Sequence, residues 1–203
     1  PVEAGFVGAD NMAVLLAEEP YRGEAVKLII DIGTNGEINL GSSKRLLSTS
    51  CATGPALEGA QIAFGMRAAP GAIEGVRIDP ETFEPSYKVI GEDEWLPLPE
   101  GREPKAKAQG ICGSGIIDAI AALAKTGVIS KAGRLNGKLA TPRVRRGEKG
   151  KLEYVLAWAG ETAIGRDIVI TQGDVRAVQL AKAALYVGAE YLMEKYGVGQ
   201  VDE

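Results

Sequence analysis

Three short segments of the chain carry the residue types that could do chemistry. The first is Asp31-Ile32-Gly33-Thr34-Asn35-Gly36-Glu37. Its glycines let the backbone approach a ligand closely, and successive N–H groups in such a turn form a nest that favours anions. Thr34 and Asn35 add side-chain hydrogen-bonding groups. Asp31 follows the apolar run Leu28-Ile29-Ile30 and is placed to hold Mg2+ through water, since magnesium keeps several waters and takes few carboxylates. Against this stands an ordinary hairpin, because Asn-Gly is a strong two-residue turn signal. A plain turn, however, does not need a carboxylate directly after an apolar strand. The second segment is Gly110-Ile111-Cys112-Gly113-Ser114-Gly115, which opens a segment of helical spacing. A helix start offers free N–H groups and a positive dipole end, which suits phosphate. The alternative is structural, with Ser114 as N-cap. The segment lacks the lysine of a P-loop and the GxGxxG spacing of a dinucleotide fold. The third, Thr53 to Gly59, reads equally as a ligand loop around Thr53 and Gly54 or as a helix started by Pro55.

The rest of the composition narrows what these segments can be part of. The chain has 203 residues, 45% of them apolar and 25% charged, as in globular proteins. Histidine is absent, which excludes Ser-His-Asp and Cys-His nucleophile systems and HExxH zinc sites within the chain. Glycine, at 27 residues, is about twice its usual share. Cys51 and Cys112 form no CxxC pair, cannot supply a four-thiolate site, and read as small buried apolar residues. Sparse cysteine, a net charge of -4, no apolar run long enough to span a membrane and no signal-like start predict a cytoplasmic protein that binds neither membrane nor nucleic acid. A start at Pro1 is expected of a processed or excised piece.

The elements that must position these segments follow from periodicity. A short helix is predicted from Asp10 to Glu19, with Asp10 as N-cap and Met12, Leu15 and Leu16 on its apolar side. Residues 27–41 read as a strand, a tight turn and a second strand, and residues 44–55 as a further strand or turn. Leu57 to Gly65 has helical spacing. Residues 79–103 are acidic and proline-rich and predict a surface β insertion. Residues 109–127 predict a glycine loop entering a helix that buries Ile116, Ile117, Ile120, Ala121 and Leu123 and stops at Gly127. A basic run follows with Arg143, Arg145, Arg146, Lys149 and Lys151, which reads as a solvated hairpin or, set against the acidic insertion, as a docking face. Residues 152–159 and 167–171 read as strands. A long helix is expected from about Asp174 to Tyr196, with Thr171 and Asp174 as a capping box, Val178, Leu185, Ala189 and Leu192 on its buried side, and Gly197 as its stop. The last residues, GVGQVDE, look like the approach to another strand.

The strand–DIGTNGE–strand hairpin resembles a phosphate motif of the acetate and sugar kinase/Hsp70/actin (ASKHA) superfamily. Five segments carry a closer resemblance: GFVGADNMAVLLA (5–17), IIDIGTNGEI (29–38), ATGPALEGAQIAFGMRAAPGAIE (52–74), GICGSGIIDAI (110–120) and ITQGDVRAVQLAKAAL (170–185). Together they are similar to the C-terminal domain of the ferredoxin-like reductive activators of corrinoid proteins. That resemblance implies an α/β fold of RNase H-like ASKHA lobes, a mixed β-sheet flanked by helices with a β-rich insertion. Residues 1–203 would form a partial nucleotide-binding domain. Its second phosphate motif is at 28–41 and its helix-start glycine loop at 109–127; the first phosphate motif and the adenosine motif are not found in the chain. The implied activity is ATP hydrolysis coupled to reduction of a Co(II) corrinoid to Co(I), with Mg2+, an iron–sulfur cluster held in a separate N-terminal region, and a corrinoid iron–sulfur protein or corrinoid methyltransferase as partner. Asp31, Gly33, Thr34, Asn35 and Gly36 would meet the phosphates, with Asp31 near Mg2+. Gly113, Ser114 and Gly115 would lie near the nucleotide, with Thr53 and Gly54 as further contacts. No residue is singled out as catalytic. A small-molecule kinase of the same superfamily and a non-catalytic docking or dimerisation module, with two copies of the chain as its partners, remain alternatives.

Overall fold

The computed structural model describes residues 7–148 and 150–203; Gly5 and Phe6 of the 5–17 motif and Lys149 of the basic run lie outside them. The chain divides into two compact units, one of residues 1–55 and 180–203, the other of residues 56–179.

The first unit is built on an antiparallel sheet of β1 (Lys27–Ile32), β2 (Gly36–Ser42) and β3 (Arg45–Cys51), in that order. Side chains alternate between sheet faces, and the sequence uses the two faces differently. Ile38 and Leu40 of β2 are fully buried and pack against Leu192, Leu185 and Ala189 of the long helix α3 (Gln172–Tyr196). Asn39, on the opposite face, is 1% exposed and meets Asn11 of α1 (Ala9–Glu18). The two amides bond reciprocally, Asn11 Nδ2 to Asn39 Oδ1 at 3.1 Å and Asn39 Nδ2 to Asn11 Oδ1 at 2.7 Å, while Ser48 Oγ donates to Asn39 Oδ1 at 2.7 Å. Burying polar amides is costly unless they are paired, so this pair fixes where α1 sits. The expected apolar face of α1 is therefore corrected. Asn11 and Leu15 are buried while Leu16 is 63% exposed, and the N-cap is Gly8 instead of Asp10.

β1 is less buried than its apolar sequence suggests, with Ile30 and Ile32 at 41% and 50% exposure. Along its free side runs the end of the chain. Glu203 N donates to Val26 O at 3.3 Å and Leu28 N to Glu203 O at 2.8 Å, the pattern of a parallel strand, and Lys27 Nζ meets Glu203 Oε2 at 2.7 Å. The strand approach expected of GVGQVDE is thus seen. The long helix also matches its expectation. Thr171 and Asp174 exchange backbone-to-side-chain bonds at 2.8 and 3.2 Å, and Gly197 stops the helix with its N–H on Met193 O.

The second unit holds two sheets. One is β6 (Trp95–Leu96), β5 (Pro85–Val89), β4 (Ala72–Ile78) and β7 (Gly110–Ile111), with β4 and β7 parallel; the other is β10 (Ile168–Thr171), β9 (Leu152–Ala157) and β8 (Val144–Arg146). α2 (Gly113–Lys125) packs on β4, burying Ile116, Ala119 and Leu123, whereas Ile117 is 40% exposed. A register shift in β4 leaves the Val76 amide to Asp118 Oδ2 of this helix at 2.8 Å. The acidic insertion is not confined to the surface, since Tyr87, Val89 and Leu96 belong to the core. A charged contact joins the basic run to the acidic insertion. Buried Arg143 binds Glu84 Oε2 through Nε and Nη2 at 2.9 and 2.6 Å, and Arg145 binds Glu153 and Asp167 at 3.0 and 2.8 Å. Glu84 lies in the acidic segment, whereas Glu153 and Asp167 lie outside it.

Residues 57–65 are not the helix that their spacing predicts. A single 3-10 turn at Pro55–Glu58 ends at Gly59, whose φ of 79° and Gln61's φ of 60° are left-handed, and Gly65 closes onto the Gly59 carbonyl. Among the described residues no helix is long and apolar enough to cross a membrane.

Candidate functional site

The hairpin between β1 and β2 is the most developed of the three segments. Register pairs Ile32 with Gly36 and Asp31 with Glu37, so the turn is Gly33-Thr34-Asn35, three residues, and Gly36 already belongs to β2. The Asn-Gly pair is therefore not a two-residue turn. Thr34 and Asn35 are exposed, Asp31 and Gly33 half-buried and Gly36 buried. Gly36 has a packing reason of its own: a Cβ there would overlap Leu185 and come within 2.9 Å of Thr53 Cγ2.

Thr53, at 5% exposure, lies under the turn. Its Oγ1 donates to Gly33 O at 2.8 Å and to Thr34 O at 2.9 Å. Both peptides are trans. In a trans peptide N–H and C=O point opposite ways, so holding these two carbonyls restrains the orientation of the peptides that carry the Thr34 and Asn35 amides. Backbone N–H groups of a glycine-containing turn suit an anion such as a phosphate oxygen.

Asp31 closes β1 beside this turn, and sequence reasoning passed over the carboxylate opposite it. Glu37 shares a sheet face with Asp31 by register and accepts Ser50 Oγ at 2.9 Å. The signal was available in the DIGTNGE spacing, since five residues between them with a three-residue turn puts the two directly across. Like charges in that arrangement repel, and a divalent cation with oxygen ligands would offset the repulsion. No group of three or more acidic, cysteine or histidine side chains able to hold a metal occurs among the described residues, so such an ion would take much of its shell from water or phosphate.

The glycine loop belongs to the second unit, and its glycines serve packing. A Cβ at Gly113 would overlap Leu57 O, one at Gly115 would overlap Ile73 O, and one at Gly110 would lie 2.7 Å from Phe64 O. Ser114 is exposed and is not the N-cap; that position is Cys112, whose Sγ donates to Ile73 O at 3.3 Å and lies 3.3 Å from Ser114 Oγ. Gly54, next to Thr53, has φ 74° and open space around it. Of the residues singled out from sequence, Asp31, Gly33, Thr34, Asn35, Gly36, Thr53 and Gly54 thus share the first unit, and Gly113, Ser114 and Gly115 the second. Cys112 is buried and Cys51 half-buried, both as free thiols. Burial, with Glu37 nearby, pushes the Cys51 thiol above its ordinary pKa, the reverse of what a reactive thiolate needs.

A mixed α/β chain with a clamped Asp-x-Gly hairpin at the end of its edge strand is a domain of the ASKHA class. A family profile described as the C-terminal domain of RACo, the ASKHA domain, matches residues 25–203, and the chain belongs to that family. It is 44% identical over 98% of its length to the corrinoid activation enzyme RamQ of Eubacterium limosum, covering 32% of that protein. It is 32% identical over 91% of its length to the [Co(II) methylated amine-specific corrinoid protein] reductase of Methanosarcina barkeri, covering 37% of it. Among solved structures, a reductive activator for corrinoid, iron–sulfur protein superposes with a TM-score of 0.84 at 37% identity, over 98% of this chain and 29% of that one. The chain spans about a third of the length of the curated relatives it matches.

Proposed function

We propose that the chain is nucleotide-binding machinery of a reductive activator, in which ATP hydrolysis is coupled to reduction of a Co(II) corrinoid, carried by a partner protein, to Co(I). The observation that carries this reading is the Thr53-clamped hairpin in a chain of the RACo ASKHA family. The relatives' names supply the corrinoid.

In this reading the amides of Thr34 and Asn35 receive phosphate oxygens, and Asp31 orients a magnesium ion through water. The ion, when bound, neutralises phosphate charge as it develops. Such chemistry needs positioning and electrostatics more than a nucleophile, which agrees with a chain lacking histidine. One electron converts Co(II) to Co(I), while water and ATP give ADP and phosphate. The chain's two cysteines do not make a four-thiolate cluster, so the electron's source is assigned to an iron–sulfur region outside it.

The test is made with the complete protein, a reductant and a Co(II) corrinoid protein. Appearance of the Co(I) spectrum only with Mg-ATP is the expected result. ADP release driven by a small-molecule acceptor, with no Co(I), would point to a kinase instead. Sedimentation of the same preparation reads whether two copies associate.

A further inference from the structure

We infer that Thr53 is a positioning residue of the phosphate hairpin, not one of its ligand contacts. This rests on the nucleotide-binding reading above. Thr53 is 5% exposed, so its hydroxyl is not displayed to a ligand. A single O–H is shared between the carbonyls of Gly33 and Thr34, at 2.8 and 2.9 Å. These are consecutive carbonyls, and holding both restrains the two peptides of the turn. Without the hydroxyl those peptides are freer to rotate, and the turn no longer presents a fixed backbone to a phosphate.

The other branch of Thr53 acts from the same place. A Cβ at Gly36 would come within 2.9 Å of Thr53 Cγ2, so the methyl packs close beneath the first residue of β2. Thr53 N in turn donates to Cys51 O at 2.9 Å, which holds the residue to the end of β3. Thr53 therefore joins the end of β3 through its backbone, and the start of β2 and the turn through the two branches of its side chain. The two branches can be separated: Thr53→Val keeps the shape and loses the donor, and Thr53→Ser keeps the donor and loses the methyl.

Mg-ATP binding to the complete protein is followed by titration calorimetry for wild type, Thr53→Val and Thr53→Ser, with the melting temperature of each. A lost hydrogen-bond donor beneath the turn is expected to weaken Mg-ATP about tenfold in Thr53→Val. Thr53→Ser should bind within about threefold of wild type. In Thr53→Val the Gly33 amide, which donates to Asn35 O at 3.1 Å, should exchange hydrogen faster than in Thr53→Ser. Equal affinity and exchange for wild type and Thr53→Val would overturn the inference while leaving the nucleotide reading intact. Weakening in Thr53→Ser as large as in Thr53→Val would also overturn it, since the methyl would then be the operative group. If the wild-type protein binds no Mg-ATP, the nucleotide reading itself fails. Should Thr53→Val not fold, Thr53→Cys, a weak donor of serine's shape, takes its place against Thr53→Ser and is read the same way.

Discussion

The two glycine-rich loops, 33–36 in the first unit and 110–115 in the second, look alike in sequence and differ in what lies behind their backbone. In 110–115 a methyl group at Gly113 or Gly115 would run into a backbone carbonyl, Leu57 O or Ile73 O. These glycines let a helix start lie directly against neighbouring backbone. In the hairpin the turn residues Thr34 and Asn35 are exposed and a buried threonine holds their peptides from beneath. Glycine content alone does not separate a displayed loop from a packed one. The partner on the other side of the backbone does.

The sharpest way to break this comparison is Gly115→Ala. Its Cβ meets backbone that cannot move aside, and a loss of about 3 kcal/mol is expected in denaturant unfolding, at the upper end of overpacking costs. A loss below about 0.5 kcal/mol, the range of an innocuous surface change, would show that the loop is not packed as described. Next is Asp31→Asn, which keeps size and removes charge. It is expected to weaken Mg-ATP about tenfold in calorimetry, a 1.4 kcal/mol effect, while moving unfolding by no more than about 0.5 kcal/mol. Equal Mg-ATP affinity for this variant and wild type would place the ion elsewhere.

Acid separates the units by a different route. In the second unit burial would raise the Glu92 pKa, but backbone N–H bonds from Lys105, Asp93 and Glu94 outweigh it and hold the carboxyl below the usual range. Asp79 is held low by its bonds from Thr82 and Glu81, and Asp93 and Glu94 by Lys105 and Arg102. A depressed carboxylate contributes fully above its unfolded pKa, about 4, and that contribution is lost as pH falls through the lower folded value. Amide protection, taken relative to the intrinsic exchange rate at each pH, should therefore fall in residues 79–106 below about pH 4, and Glu92→Gln should lower it there already at neutral pH. Protection that stays unchanged from neutral pH to pH 3 would count against these bonds ordering the segment. The smallest effect is expected of Ser114→Ala. An N-cap serine would cost about 1 kcal/mol to remove, whereas this exposed, non-capping residue should cost at most about 0.5 kcal/mol. Any loss of Mg-ATP affinity in that variant would then report contact with nucleotide and not a fold defect.

What could be read from the sequence was mostly local. The capping pair Thr171 and Asp174, the stop at Gly197 and the strands of the hairpin are set by residues a few positions apart. The misreadings have long-range causes. Residues 57–65 have helical spacing, yet Gly59 and Gln61 take left-handed backbone and the segment folds back on itself. The packing reason for Gly36 could not be read locally, because its partner, Leu185, lies far along the chain. Asn11 gave no sign that it would be buried, since its matching amide is 28 residues away. The role of Thr53 was hidden for the same reason: nothing within its own segment says which carbonyls its hydroxyl will find.

The Asn11–Asn39 pair bears on where this domain can be cut. The family profile begins at Ala25, after α1 has ended. A truncation drawn at the profile's border would remove Asn11 and leave the Asn39 amide donors without their acceptor, at a cost of about 1–3 kcal/mol. It would also remove Leu15, which is buried. The stretch that a profile scores is shorter than the stretch that packs, and an expression boundary should respect the second.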